Sequence, residues 1–176
     1  MVEKFKTLFS VKSSLVTLYL ALTIPVPFIS TEKLQIPAWI FFSLGLFLII
    51  NVTSDYVETS KHKISYKTSF ISKFLGKKNW DIFWKDIKFI KSLPTSQGSK
   101  VYYFNTSNGK NYIVPQRLQN FEEFLLIISQ KTGIDVNDIT YISPLWTYKL
   151  LTFLSVLMIV GEIFAYKNQM LSMLNL

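Results

Sequence analysis

The chain contains no cysteine. Disulfides, thiolate metal sites and a cysteine nucleophile are therefore excluded, and cysteine usage says nothing about redox compartment. There is one histidine, His62, and it lies between Lys61 and Lys63. A metal site would need further imidazole or carboxylate ligands beside it, and a Ser-His-acid triad is not credible between two lysines. His62 reads as a solvated turn residue. Glycine is scarce too: Gly98 and Gly109 stand alone in turn-like segments and build no phosphate loop. Asp81 and Asp86 lie five apart and read as counter-charges to nearby lysines rather than as a catalytic pair. No cofactor or metal is expected, and the reading is of a protein that is not an enzyme.

Long apolar runs are what the chain does have. Residues 13–30, 36–52 and 145–166 are each close to the length that crosses a bilayer as a helix. In the first, Pro25 and Pro27 should end any regular helix near Thr23. Lys4, Lys6 and Lys12 before it resemble the n-region of a signal peptide, but no small-x-small cleavage site follows and a second run comes at once. In the second run, Pro37 is expected at the first helical position, where its missing N–H does no harm, and Trp39 at an interface. About six residues separate the two runs, which predicts a tight helical hairpin. In the third, Trp146, Tyr148 and Lys149 anchor one end and Tyr166 and Lys167 the other. Gly161 and Ala165 form a small-x-x-x-small pair for helix contact, with Glu162 beside them; an intramembrane carboxylate hints at function, but this one lies close to an interface and reads more plainly as a Glu snorkelling to the surface.

Charge orients this layout. Residues 1–12 carry a net +2, the short connection 0, residues 53–143 a net +5 from thirteen Lys/Arg against eight Asp/Glu, and the remainder +1. Lys/Arg excess marks the cytoplasmic side. The expected organisation is a cytoplasmic N-terminus (1–12), a transmembrane hairpin (13–52), a cytoplasmic domain (53–143), a third transmembrane helix (144–166) and a short tail (167–176). The location is then a multi-pass protein of the plasma or thylakoid membrane. A basic domain held at a bilayer meets anionic headgroups, worth about 1 kcal/mol per nearby Lys or Arg, so membrane lipids rather than nucleic acid are the expected charged partners.

Between the second and third runs the periodicity becomes strand-like. Ile64-Ser65-Tyr66-Lys67-Thr68 alternates apolar and polar, and residues 80–84 and 87–90 follow it. Residues 94–98 are a turn cluster, and 101–104 and 111–114 flank Asn108-Gly109, a strong hairpin signal. Pro115 stops the last strand. From Asn120 the spacing turns helical through Phe121, Phe124, Leu125 and Ile128, with Asn120 the expected N-cap and Gly133 the stop. The fold class is α+β, a curled antiparallel sheet capped by one C-terminal helix, beside three transmembrane helices.

Residues 56–133 resemble the bacterial pleckstrin-homology-like domain of small membrane proteins. The strand ISYKT, the segment WDIFWKDIKFIKSL, the hairpin VYYFNTSNGKNYIV and the helix NFEEFLLIISQKTGI carry the likeness. In that family the domain commonly sits beside a two-helix membrane hairpin; the third run departs from its simplest members. The order of elements is also similar to the photosystem I assembly factor of cyanobacteria and plastids, through the string Lys85-Asp86-Ile87. The resemblances imply a membrane-anchored scaffold or adaptor with a membrane-protein partner, or an assembly or maintenance factor for a membrane complex.

Nine lysines fall within residues 61–91. Lys61, Lys63, Lys73, Lys77 and Lys78 are the expected membrane-surface contacts, the last three interleaved with Phe74, Leu75 and Gly76. A solvated face that discourages strand pairing is the plainer reading of the same charges. Phosphoinositide recognition by eukaryotic pleckstrin domains uses a basic loop between early strands, but this region has no Arg for a bidentate phosphate grip. The expected partner surface runs along the helix and hairpin through Tyr103, Arg117, Phe121 and Glu122.

Overall fold

The first turn of sequence is a strand, not a tail. In β1 (Glu3–Lys6) Phe5 is buried while Lys4 and Lys6 are exposed, the period-2 pattern of a half-buried strand. The computed structural model describes residues 2–174, and side chains as far as residue 168. The chain forms two units: Met1–Phe9 with Asn51–Pro144, and Ser10–Ile50 with Leu145–Leu176.

The first unit holds two antiparallel sheets. β1, β2 (Tyr56–Thr59), β3 (Lys63–Lys67) and β4 (Trp80–Phe83) pair in chain order. β5 (Ile87–Pro94), β6 (Lys100–Thr106) and β7 (Asn111–Ile113) form the other sheet, also in chain order. A short 3-10 turn at Trp84–Asp86 joins them. Trp80 bridges the sheets: it stacks on Tyr66 at 5.6 Å and meets Tyr112 at 5.5 Å and Phe104 at 6.2 Å, centroid to centroid. Offset and tilted ring pairs of this kind add roughly 0.5–1.5 kcal/mol beyond their buried area. The Asn108-Gly109 hairpin is present, but only Gly109 is at positive φ (73°). The Gly109 N–H donates to the Thr106 carbonyl, so the loop is a tight turn followed by a left-handed glycine.

α5 (Phe121–Thr132) closes the core with Phe121, Phe124, Leu125 and Ile128. Val57, Ile64 and Phe104 from the sheets and Val114 just after β7 meet them, each fully buried. Burying each such side chain contributes about 1.5–3 kcal/mol. Gly133 ends α5 at φ 72° and donates to the Ser129 carbonyl, as expected. Asn120 does not cap in the expected way. It is left-handed (φ 51°) and its side chain bonds no backbone N–H; its amide donates to Glu123 at 3.2 Å.

The second unit holds the apolar helices. Three stretches are long and apolar enough to cross a membrane: Phe9–Ile29, Glu32–Val52 and Leu145–Asn168. α1 (Phe9–Thr23) ends where Pro25 dictates, but the chain resumes as α2 (Pro25–Ile29) after Ile24, which keeps helical angles. α3 (Glu32–Val52) starts before Pro37, which lies inside the helix rather than at its first position. The start is set by Thr31, whose carbonyl accepts from Leu34 and Gln35. The hairpin connection therefore shrinks to Ser30 and Thr31. Tyr19 ties α1 to α3: its ring stacks on Phe42 and its hydroxyl donates to the Phe42 carbonyl at 2.8 Å. The last helix, α6 (Leu145–Leu174), runs through most of the expected tail; residues 175 and 176 lie outside the described residues.

Candidate functional site

Register places one end of the four-stranded sheet at the chain's junction with the apolar helices. Lys6 pairs with Tyr56, Tyr56 with Lys67, and Tyr66 with Trp80. The chain leaves β1 for α1 at this end, returns to β2 from α3 at this end, and makes the β3–β4 connection at this end. The opposite end carries the β2–β3 turn at residues 60–62 and the Phe83–Trp84 corner, where the Trp84 N–H donates to the His62 carbonyl.

The junction end is organised by Asp55, which lies three residues beyond α3 and is buried. Its carboxylate accepts the Ser69 N–H at 2.8 Å, the Tyr66 hydroxyl at 3.0 Å and the Lys77 ammonium at 2.8 Å. Its backbone carbonyl accepts the Thr7 hydroxyl at 2.9 Å, which fastens the start of β2 to the end of β1. Burial pushes the Asp55 pKa up, and Lys77 and the Ser69 N–H outweigh it, so the carboxyl sits below its ordinary value. Burial and the Asp55 charge together push the Tyr66 phenol upward, so it stays a neutral donor. Asn79 closes the loop's base by accepting the Thr68 N–H and hydroxyl at 2.8 and 2.7 Å.

Within this loop α4 (Phe70–Phe74) is one helical turn capped by Ser69, whose hydroxyl accepts the Ser72 N–H at 3.2 Å. Gly76 reverses the chain at φ 88°, and the Lys77 N–H returns to the Ser72 carbonyl. The loop is thus a closed, hydrogen-bonded structure rather than a slack connection.

The structure divides the expected lysine surface. Lys73, Lys77 and Lys78 belong to the junction end. Lys61 lies in the β2–β3 turn at the other end, and Lys63 opens β3 there. Lys63 and Lys67 pair with Asp81 at 3.5 and 3.3 Å, and Ser65 donates to the same carboxylate. The Ser65 hydroxyl first, and Lys67 with it, hold the Asp81 carboxyl below its ordinary value. His62 is exposed.

The expected partner residues separate as well. Phe121, expected on the partner surface, is instead a core residue, 2% exposed: its ring packs on Tyr141 at 4.8 Å and stacks on Phe124. The helical spacing that marked it belongs to the buried stripe of α5. Tyr103 is half-buried on β6, Arg117 is exposed with its carbonyl accepting the Leu8 N–H, and Glu122 is exposed in the first turn of α5. On α6, Gly161 and Ala165 are exposed, and Glu162 is half-buried with one carboxylate oxygen enclosed.

Asp55 and β1 were the residues that sequence reasoning missed. Asp55 is an isolated acid after Thr53 and Ser54, and the partners of its carboxylate lie 11 to 22 positions away. For β1 the signal is the alternation of Lys4, Phe5 and Lys6, too short beside a basic N-terminal segment to stand out as a strand.

The chain is similar to a cyanobacterial protein, the uncharacterized protein slr0269 of Synechocystis sp. The two are 31% identical over 148 residues, 80% of this chain and 74% of the relative. No protein-family model matches the chain.

Proposed function

The chain belongs to the family of the Synechocystis protein slr0269, and on that premise we propose that it is a non-enzymatic, membrane-anchored scaffold. It presents a pleckstrin-homology-like domain at the cytoplasmic surface of a plasma or thylakoid membrane and binds a membrane-protein partner there. One observation carries this reading: the apolar hairpin is inserted between β1 and β2, two paired strands of one sheet. A hairpin that crosses a bilayer and starts and ends in neighbouring strands holds the domain at the lipid surface on two chain connections. The four-plus-three strand order with a closing helix supports the pleckstrin-like reading of the domain. Its test is co-purification from gently solubilised membranes. A stoichiometric partner that survives washing supports a scaffold; recovery of the chain alone refutes it.

A second reading, an assembly or maintenance factor for a membrane complex, draws on the helical unit. α3 has no buried residue, and Gly161 and Ala165 of α6 are exposed. Such faces suit transient helix contacts, where small residues let backbones approach. Recovery only with immature forms of a complex, photosynthetic or otherwise, supports this reading over the first.

A further inference from the structure

Three large apolar side chains at the tip of the β3–β4 loop have no place in the core. Phe70 is 78% exposed, Phe74 85% and Leu75 65%. They fall within six consecutive positions, in and just beyond the single turn of α4. Exposed apolar residues scattered singly are ordinary, but a contiguous group with a basic rim marks an interaction surface. The rim here is Lys73, Lys77 and Lys78. The loop cannot turn this group inward without breaking the bonds that Asp55, Ser69 and Asn79 make at its base.

We propose that this tip is a lipid wedge: Phe70, Phe74 and Leu75 enter the boundary between headgroups and acyl chains of an anionic bilayer, while Lys73 and Lys78 meet the headgroup phosphates. Bilayer is the occupant because of where the loop is built. It emerges at the sheet end through which the chain passes to α1 and from α3, and Asp55, which holds Ser69 and Lys77, follows the last residue of α3 by only three positions. Three extended residues reach about 10 Å, so the chain itself tethers the loop's base at Asp55 close to the end of α3. Aromatic rings with flanking lysines have the amphipathic form that settles at that boundary, about 5–10 Å into it. Lys77 serves differently from its neighbours: its ammonium is committed to Asp55 at 2.8 Å. Asp55 is a positioning residue that holds the loop's base. The inference rests on the membrane-anchored reading above.

The absence of cysteine makes the test direct. Leu75→Cys, Asn108→Cys and Leu44→Cys are each labelled with the same fluorophore in the full chain. The proteins are placed in nanodiscs of phosphatidylcholine with or without phosphatidylglycerol, carrying lipids with a quencher at defined depth. The wedge requires residue 75 to be quenched by shallow-quencher lipid at least about threefold more than residue 108, as interfacial burial demands. It also requires stronger quenching with phosphatidylglycerol present. Quenching at 44 by deep-quencher lipid, with residue 75 no more quenched than 108, overturns the wedge and leaves the anchored reading standing. No quenching at 44 overturns both. Phe70→Ser with Phe74→Ser, two exposed positions whose loss leaves the fold intact, brings residue 75 down to the level of 108; unchanged quenching there shows that the rings do not drive insertion.

Discussion

The two ends of the four-stranded sheet carry similar numbers of lysines and use them differently. At the junction end, Lys77 is locked onto a buried carboxylate, and the exposed Phe74 and Leu75 stand between Lys73 and Lys78. At the turn end, Lys61, His62, Lys85 and Lys131 gather with Phe83 and Trp84 around an open pocket of about 450 Å³ lined by no carboxylate. Among the described residues Lys61, Lys85 and Lys131 there make no ion pair, and Lys85 approaches the Phe83 ring loosely, 5.9 Å from its centre. A count of charges along the sequence therefore does not define a surface. One buried aspartate fixes Lys77 and the loop that also carries Lys73 and Lys78, whereas Lys63 and Lys67 share the half-exposed Asp81 and Lys61 and Lys85 stay solvated.

The largest effect concerns which side of a membrane both ends occupy. Alkaline phosphatase is active only where it is exported. If the N-terminus and the strand-rich unit are cytoplasmic, as the +5 charge of residues 53–143 predicts, a fusion after Gly109 should be inactive and a fusion at the C-terminus active. The reverse pattern overturns the orientation, though not the contrast between the two ends.

Next is the carboxylate itself. Asp55→Asn removes a buried charge that accepts three hydrogen bonds, including one from an ammonium. Hydrogen bonds to charged groups contribute about 1.5–3 kcal/mol each, and an amide can still accept, so the net cost is about 2 kcal/mol. Amide exchange across Thr68–Asn79 should accelerate while α5 stays protected. Asp81→Asn is the control: that side chain is 46% exposed and its ion pairs are solvent-screened, so its cost is below about 1 kcal/mol. Equal costs at the two aspartates would erase the distinction that burial draws between them.

How far these features were legible follows from their range in sequence. The apolar runs, the β6–β7 hairpin and α5 were readable because each is written in consecutive residues: hydropathy, Asn108-Gly109, and helical spacing closed by Gly133. α5 placed Phe121 correctly on a helix, yet the same spacing made a core residue look like a rim. The Asp55 hub was not readable, because Tyr66, Ser69 and Lys77 reach it only after β2 and β3 have paired. The end assignments of Lys61 and Lys77 are likewise properties of strand register, which a run of nine lysines does not encode.

A smaller effect separates Lys77 from Asp55. Lys77→Gln leaves the Tyr66 and Ser69 bonds to the carboxylate but removes its counter-charge. Because the lysine is 48% exposed, solvent screens the pair and the cost is about 1 kcal/mol. The pH dependence gives the sharper readout. A carboxyl whose folded pKa lies below its unfolded value, as for Asp55, contributes stability that is complete above the unfolded value of about 3.9 and is lost as pH falls through the folded one. Protection of Thr68–Asn79 should therefore hold from neutral pH down into the ordinary carboxylate range and fail only below it. Without Lys77, burial is opposed by fewer partners, the folded value rises, and the failure begins at higher pH. An acid transition that does not move in Lys77→Gln would show that the ammonium is not what holds the carboxyl down.

The smallest effects on stability belong to the solvated lysines, and there the two ends part by function alone. Lys73→Gln with Lys78→Gln, and Lys61→Gln with Lys85→Gln, should each change thermal stability by less than about 0.5 kcal/mol, since all four side chains are exposed. Their effects on lipid contact differ. Removing Lys73 and Lys78 should reduce phosphatidylglycerol-dependent quenching of a label at residue 75, and raising salt should do the same to the unaltered chain, because the attraction is screened over about 10 Å at 0.1 M. Removing Lys61 and Lys85 should leave that quenching unchanged. The pair at the turn end is joined to the label only through the length of the sheet, and its charge acts on whatever approaches that end. If both pairs lowered quenching equally, the domain would be responding to its net charge, and the division of its lysines between two ends would carry no consequence at the membrane.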